Sequence, residues 1–192
     1  VFLIEAIEGT RNMADTFRIG LIYGSTRRGR LCDRVAQWVA ERVAAHGGMA
    51  IETIDPAAGH DDRELARRIG RADGFIVVTP EYNHSFPAPL KALIDAANAE
   101  WHAKPVGFVS YGGISGGLRA VEHLRGVFAE LHAVGLRDTV SFAAAWEQFG
   151  ENARLHDPER SARAMAAMLR RLEWWTGALR DARGARAYGE AA

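Results

Sequence analysis

The sequence predicts an α/β three-layer sandwich: a five-stranded parallel sheet in the order 2-1-3-4-5, with helices on both faces. Three observations predict it. From Phe17 onward short apolar runs alternate with longer amphipathic stretches, the pattern of strands joined by crossover helices. Ile19, Leu21 and Ile22, then Ile76, Val77 and Val78, form near-continuous apolar blocks, as central strands covered on both faces require. Five strand–helix pairs fit into the 192 residues, enough for the order 2-1-3-4-5, whereas the other common doubly wound order needs six strands.

The strands are expected at Phe17–Gly24, Met49–Ile54, Gly74–Thr79, Pro105–Ser110 and Asp138–Ala143, and the helices at Leu31–His46, Asp61–Ala72, Pro89–Ala99, Gly117–Val134 and Pro158–Ala182. In the last helix Ala162, Met165, Leu169, Leu172 and Leu179 recur at helical spacing and define the face that covers the sheet. The stretch from Glu147 to Asp157 is polar and is read as a loop. No repeat or linker divides the chain, so residues 13–183 are expected to form one flavodoxin-like domain. Val1 to Asn12 carry no basic n-region and no sustained apolar stretch and are read as an extension outside the fold, with Met13 as the domain start. Gly184 to Ala192 are expected to fray.

Composition narrows the function. The 24 Lys and Arg balance the 24 Asp and Glu, and the two signs are interleaved, which argues against the one-sided basic excess of a nucleic-acid binder. No run of 18 apolar residues suggests a membrane span. The single cysteine, Cys32, leaves no intramolecular disulfide and fits a reducing cytoplasm. None of the seven histidines pairs at the spacing of a helical zinc site, so no metal is expected. A small-molecule ligand remains.

In this fold ligands bind at the carboxyl ends of the strands near the switch in strand order, which directs attention to the loops after strands one, three and four. Strand one runs into Gly24-Ser25-Thr26-Arg27-Arg28-Gly29-Arg30-Leu31 and then a helix. Unpaired N–H groups and the positive end of the helix dipole, joined by hydroxyl and guanidinium donors, make a phosphate cradle. The spacing matches neither the Walker loop nor Gly-x-Gly-x-x-Gly, which leaves a monophosphate. A Gly-Ser turn followed by solvated arginines is the alternative. Cys32 is open to two readings, a thiolate activated by the dipole or a small packed thiol.

After strand three, Thr79-Pro80-Glu81-Tyr82-Asn83-His84-Ser85-Phe86-Pro87-Ala88-Pro89 carries prolines that hold Tyr82, Asn83 and His84 in one shape, either a shelf for a planar ligand or a helix-capping turn. After strand four, Ser110-Tyr111-Gly112-Gly113-Ile114-Ser115-Gly116-Gly117 lets backbone N–H groups approach a ligand edge, such as the electron-accepting rim of a flavin, or forms a flexible surface loop.

The loop from Gly24 to Arg27, the Thr79-Pro80-Glu81-Tyr82-Asn83 segment and the glycine loop from Ser110 together resemble the NADPH-dependent FMN reductase family, whose relatives include azoreductases, chromate reductases and quinone reductases; the resemblance covers about Phe17 to Leu179. It implies that Ser25, Arg27, Leu31 and Cys32 surround the FMN phosphate, and that Pro80, Glu81, Tyr82 and Asn83 lie along the isoalloxazine. Ser110, Gly112 and Gly113, with Tyr111 and Ser115, would approach the ring from the strand-four side. Arg30 and Cys32 stand where the family often has Ser and Asn, putting a mobile cation and a weak donor in place of a hydroxyl and an amide. The implied activity is transfer of a hydride from NADPH, or NADH, through FMN to a quinone, azo compound, metal oxyanion or flavin. The flavin carries that chemistry, so no catalytic side chain is named. The resemblance also implies a homodimer or homotetramer; Trp101 and Phe86 are candidate interface aromatics, with ordinary packing as the alternative. A non-enzymatic FMN electron carrier and a regulatory flavoprotein are the alternatives.

Overall fold

The computed structural model describes residues 16–150 and 155–191; Val1 to Asn12 and Met13 lie outside them. The sheet consists of β1 (Phe17–Tyr23), β2 (Met49–Ile54), β3 (Gly74–Pro80), β4 (Pro105–Gly112) and β5 (Val134–Ala143). All neighbours are parallel and the order is β2-β1-β3-β4-β5, as the sequence predicts.

Period-two alternation sorts the strand residues between two cores. Ile19 and Leu21 of β1, Ile76 and Val78 of β3 and Val109 and Tyr111 of β4 face helices α1 (Cys32–His46) and α6 (Glu159–Ala185). There they meet Val35, Trp38, Val39 and Val43 from α1 and Met165, Met168, Leu169 and Leu172 from α6. On the other face Ile22, Phe75, Val77, Val106 and Phe108 pack against α2 (Asp62–Arg71), α3 (Ala88–Asp95) and α4 (Leu118–Glu130). Each central strand is thus buried on both sides, the reason its sequence shows no polar alternation.

Several boundaries differ from the sequence expectation, each for a local reason. β5 begins at Val134 rather than Asp138, because its pairing with β4 shifts register between Val106 and Phe108 and the resulting bulge breaks the apolar pattern. Arg125 satisfies that irregular stretch, donating to the carbonyls of Leu136 and Arg137 and to the Thr139 hydroxyl. α3 ends at Asp95, and the chain continues into a 3-10 turn at Ala99–Trp101. Within the polar stretch after β5 lies a short helix, α5 (Ala145–Gln148).

Trp101 is fully buried between Phe75 and Phe128, with its indole N–H donating 3.0 Å to the Ile94 carbonyl, so it is a core residue and not an interface aromatic. Phe86 is half-buried against the same core. The C-terminal tail is less free than expected: α6 runs to Ala185, and the Tyr188 hydroxyl meets His132 Nδ1 at 3.0 Å while its ring contacts His102. Lys104, buried at the amino end of β4, donates 2.8 Å bonds to the Ile69 and Gly70 carbonyls at the end of α2, and burial lowers its pKa to about 8. No helix among the described residues is long and apolar enough to cross a membrane.

Candidate flavin site

The loops after β1, β3 and β4 meet at the carboxyl edge of the sheet. Loop one starts at Gly24, whose N–H donates 2.7 Å to the Val78 carbonyl. A Cβ there would lie 2.8 Å from that same oxygen, so only glycine lets the end of β1 lie this close to β3. Ser25 follows, wholly buried, and its hydroxyl shares a 2.8 Å hydrogen bond with the Tyr82 hydroxyl. The Arg27 guanidinium lies 3.8 Å above the Tyr82 ring. Loop one and the segment after β3 are therefore joined twice through one tyrosine. The Tyr82 ring thus packs against loop one, the loop that the sequence reading assigns to the phosphate.

Arg30 is not mobile, contrary to the sequence expectation. It donates to Asp55 at the end of β2, to Asp33 at 2.7 Å and to the Ser25 carbonyl, with its side chain only 11% exposed. Asp55 accepts 2.8 Å from one guanidinium nitrogen and 2.9 Å from the Ala57 N–H. Burial works to raise the Asp55 pKa, but these donors outweigh it and hold the carboxyl below its usual value. Arg30 thus clamps loop one to β2 and leaves Arg27 and Arg28 as the exposed cations of the loop.

No side chain caps the N-terminus of α1 at Leu31, so the first N–H groups of the helix face the cradle without a partner from a capping residue. Leu31 is half-buried at the rim. Cys32 is fully buried; its thiol lies 3.6 Å from the Val78 carbonyl, and burial pushes its pKa up. It is the packed thiol of the two readings, and only its main chain is placed to meet a phosphate.

Pro80 ends β3, and Tyr82 and Ser85 then close a two-residue turn through 2.8 and 3.1 Å main-chain bonds. Asn83 and His84 occupy its centre at φ 50° and 70°, as a primed turn demands and as these residue types tolerate. Both side chains are exposed. His123 of α4 supports the turn from below, its Nδ1 lying 2.9 Å from the Ser85 hydroxyl.

Glu81 turns toward the glycine loop. Its carboxylate accepts 2.6 Å from the Ser115 hydroxyl, 2.7 Å from the Arg119 guanidinium and 3.2 Å from the Arg119 N–H. Burial opposes the charge, yet these donors prevail and the pKa lies below the usual carboxylate range. Glu81 therefore braces one loop against another and does not stand free beside a ligand.

In the loop after β4, a Cβ on Gly116 would fall 2.2 Å from the Ser141 hydroxyl and one on Gly117 would fall 2.8 Å from Ser110 Cβ, with φ at 60° and 84°. These two glycines serve the packing of the chain itself. Gly113 differs: its Cβ position meets only Trp146, at 3.8 Å, so its main chain is open to a ligand edge, whereas the Gly112 Cβ position lies 3.2 Å from the Gly117 nitrogen. Ser110 is buried with its hydroxyl donated to the Gly116 carbonyl, and Tyr111 points into the core beside Cys32, so both can offer only backbone.

The residues present fit FMN. An uncapped helix N-terminus with an exposed arginine suits a phosphate. The Pro80–Asn83 turn, backed by Glu81, and the open main chain of Gly113 suit a flat ring. Arg30, Asp33, Asp55, Arg119 and His123 complete the cluster; of these the sequence points only to Arg30, as a mobile cation of the phosphate loop. The signal for Asp55 was available: it follows β2, which the strand order sets beside β1.

A five-stranded parallel sheet in this order, with polar loops at its switch point, defines a flavodoxin-like protein. The family model for NADPH-dependent FMN reductase matches residues 17–147, and the chain belongs to that family. It is 35% identical over 122 residues to the NAD(P)H-dependent FMN reductase of Schizosaccharomyces pombe, covering 53% of this chain and 61% of the relative. It is 38% identical over 111 residues to the NAD(P)H:quinone oxidoreductase of Solanum tuberosum, covering 54% and 56%. The matches thus span little more than half the length of these two relatives. Among solved structures, the flavoenzyme NAD(P)H:(acceptor) oxidoreductase of Paracoccus denitrificans aligns with a TM-score of 0.69 at 19% identity, over 84% of this chain and 98% of that one, a likeness of fold.

Proposed function

We propose that this protein binds FMN and uses it to pass two electrons from NADPH or NADH to a small-molecule acceptor, of which a quinone is the best supported. In balanced form, NADPH, a proton and the quinone give NADP+ and the hydroquinone. The observation that carries the reading is the double tie of Tyr82 to loop one, which brings the Pro-Glu-Tyr-Asn turn against an uncapped helix N-terminus. The names of the yeast and potato relatives support both the donor and the acceptor class. Azo compounds, metal oxyanions and free flavin are further acceptors of the same two-electron kind. The reading includes a cytoplasmic setting and association of copies into a homodimer or homotetramer.

Bound FMN would supply the hydride-accepting and hydride-donating centre. The chain would supply position and charge. Arg27 and the first N–H groups of α1 would hold the phosphate, with Ser25 and Leu31 shaping the cradle. Glu81, neutralised by Arg119, fixes the turn so that Tyr82 and Asn83 meet the ligand in one geometry. Gly112 and Gly113, aided by Ser115, would direct main-chain donors at the ring edge, where negative charge grows on reduction.

Comparing FMN with riboflavin tests the assignment. Arg27→Ala is expected to weaken FMN binding about tenfold, the scale of one lost charge-assisted hydrogen bond. Riboflavin, which lacks the phosphate, should bind wild type and variant alike. Equal FMN affinity in the two proteins would refute the phosphate assignment. Sustained NADPH oxidation with a quinone separates an enzyme from an electron carrier, which would stop after one equivalent.

A further inference from the structure

Ile114, Leu118, Trp146, Trp174 and Tyr188 are the large apolar residues most exposed among those described. Tyr188 meets His102 and His132 at steep ring angles and Trp174 lies on the outer face of α6. Ile114 and Trp146, at 93% and 63% exposure, are different, because both adjoin Gly113 in the candidate flavin site. A single aromatic left in water forgoes stabilisation of about 1.5–3 kcal/mol that burial would provide. Two such side chains beside one open glycine form a surface suited to an apolar ligand.

The backbone sets Trp146 there deliberately. Ala144 takes a left-handed conformation at φ 45°, and its N–H donates 3.0 Å to the Gly113 carbonyl, which ties the start of α5 to the glycine loop. The edge of the indole consequently lies 3.8 Å from the position a Gly113 Cβ would take. On the opposite side of the loop, the Gly112 Cβ position lies 3.6 Å from Glu81 Cβ, where Ser115 and Arg119 gather. The mouth of the site is thus polar toward the segment after β3 and apolar toward α5.

We infer that Trp146, with Ile114, selects the electron acceptor by taking the apolar body of a fused-ring quinone. A quinone has the matching division. Its carbonyls want water or polar groups, and the ring fused to them gains from contact with an indole face or edge. A compact, highly charged acceptor gains nothing from that surface. Trp146 is a specificity-determining residue in this assignment, and neither FMN binding nor hydride transfer depends on it. The inference rests on the FMN-dependent reading above and adds to it the fused-ring preference and the residues that set it.

The test uses the FMN-loaded protein and compares wild type with Trp146→Ala, Trp146→Phe and Ile114→Ser. FMN affinity, oligomeric state by size-exclusion chromatography, and KM and kcat are measured with 2-methyl-1,4-naphthoquinone and with ferricyanide. Trp146→Ala is expected to raise KM for the naphthoquinone about tenfold and Ile114→Ser about threefold, changes of about 1.4 and 0.7 kcal/mol. Trp146→Phe should keep most of the wild-type value, and ferricyanide turnover and FMN affinity should be unchanged. An unaltered naphthoquinone KM in a Trp146→Ala protein that still binds FMN overturns this inference and leaves the FMN reading intact. Equal loss with ferricyanide overturns it as well. A KM change accompanied by dissociation of the assembly does too, since Trp146 would then belong to an interface between copies. Failure of the wild type to bind FMN defeats the parent reading and this one with it.

Discussion

The loops that follow β1 and β4 both carry glycines beside the same candidate ligand, yet they hold their shapes by different physics. The β4 loop is set by steric fit: side chains at Gly116 and Gly117 would enter space already filled by Ser141, Ser110 and Tyr111. Beyond the close approach at Gly24, the β1 loop is set by charge: Gly29 at its tip meets nothing within 4 Å while Arg30 is gripped by Asp55, Asp33 and the Ser25 carbonyl. A contact set by fit does not depend on protonation, whereas one set by charge does. The β4 loop is therefore held largely by fit, with the Glu81 brace as its charged element, whereas the tip of the β1 loop depends on the counter-charges of Arg30.

The strongest way to break this contrast is Gly117→Ala. Its methyl group would lie 2.9 Å from both the N and the O of Tyr111, backbone atoms that cannot swing aside, at a φ of 84°. A loss of about 3 kcal/mol or more in denaturant stability is expected. A loss under about 1 kcal/mol would show that the β4 loop rearranges freely.

Next is Arg30→Met, expected to lower stability by about 2 kcal/mol, since Asp55 at 20% side-chain exposure would be left partly buried without its cation. Asp55→Asn combined with Arg30→Met should cost less than the sum of the single changes, and a double-mutant cycle measures that coupling. Additive losses would mean that the pair does not clamp the loop.

Acid sharpens the comparison. The Asp55 and Glu81 pKa values are lowered in the folded chain, so each contributes stability that is complete above the usual carboxylate range, about 4, and is lost as pH falls through the lowered value. Stability should therefore decline on acidification, and Glu81→Gln should flatten part of that decline while leaving the neutral-pH fold intact. The same slope in wild type and Glu81→Gln would show that the Glu81 brace carries no charge-dependent energy. The smallest effect is expected for Gly29→Ala, about 1 kcal/mol, arising from its φ of 63° alone because the space around it is open.

The same contrast explains what was legible in the sequence. Strands buried on both faces announce themselves as unbroken apolar runs, so β1 and β3 could be read directly, and the bounds of β2 agree with the expectation at both ends. β5 was cut short because its first residues follow the bulge held by Arg125, and no one-dimensional pattern encodes a register shift. In the site, the loops could be located, but the partners of their side chains lie up to 57 residues away, as Ser25 and Tyr82 do. Arg30 read as a mobile cation since its two aspartates are separated in sequence and meet only when β2 lies beside β1. Composition likewise could not divide the glycines of the β4 loop into Gly116 and Gly117, needed for packing, and Gly113, open to a ligand.

The central claim, that these loops together hold FMN, is tested most directly by titrating the purified protein with FMN and following its fluorescence and visible absorption. Saturable binding of one FMN per chain, with the flavin bands perturbed, is the predicted result. A protein that leaves the spectrum of added FMN unchanged at a large excess would contradict it.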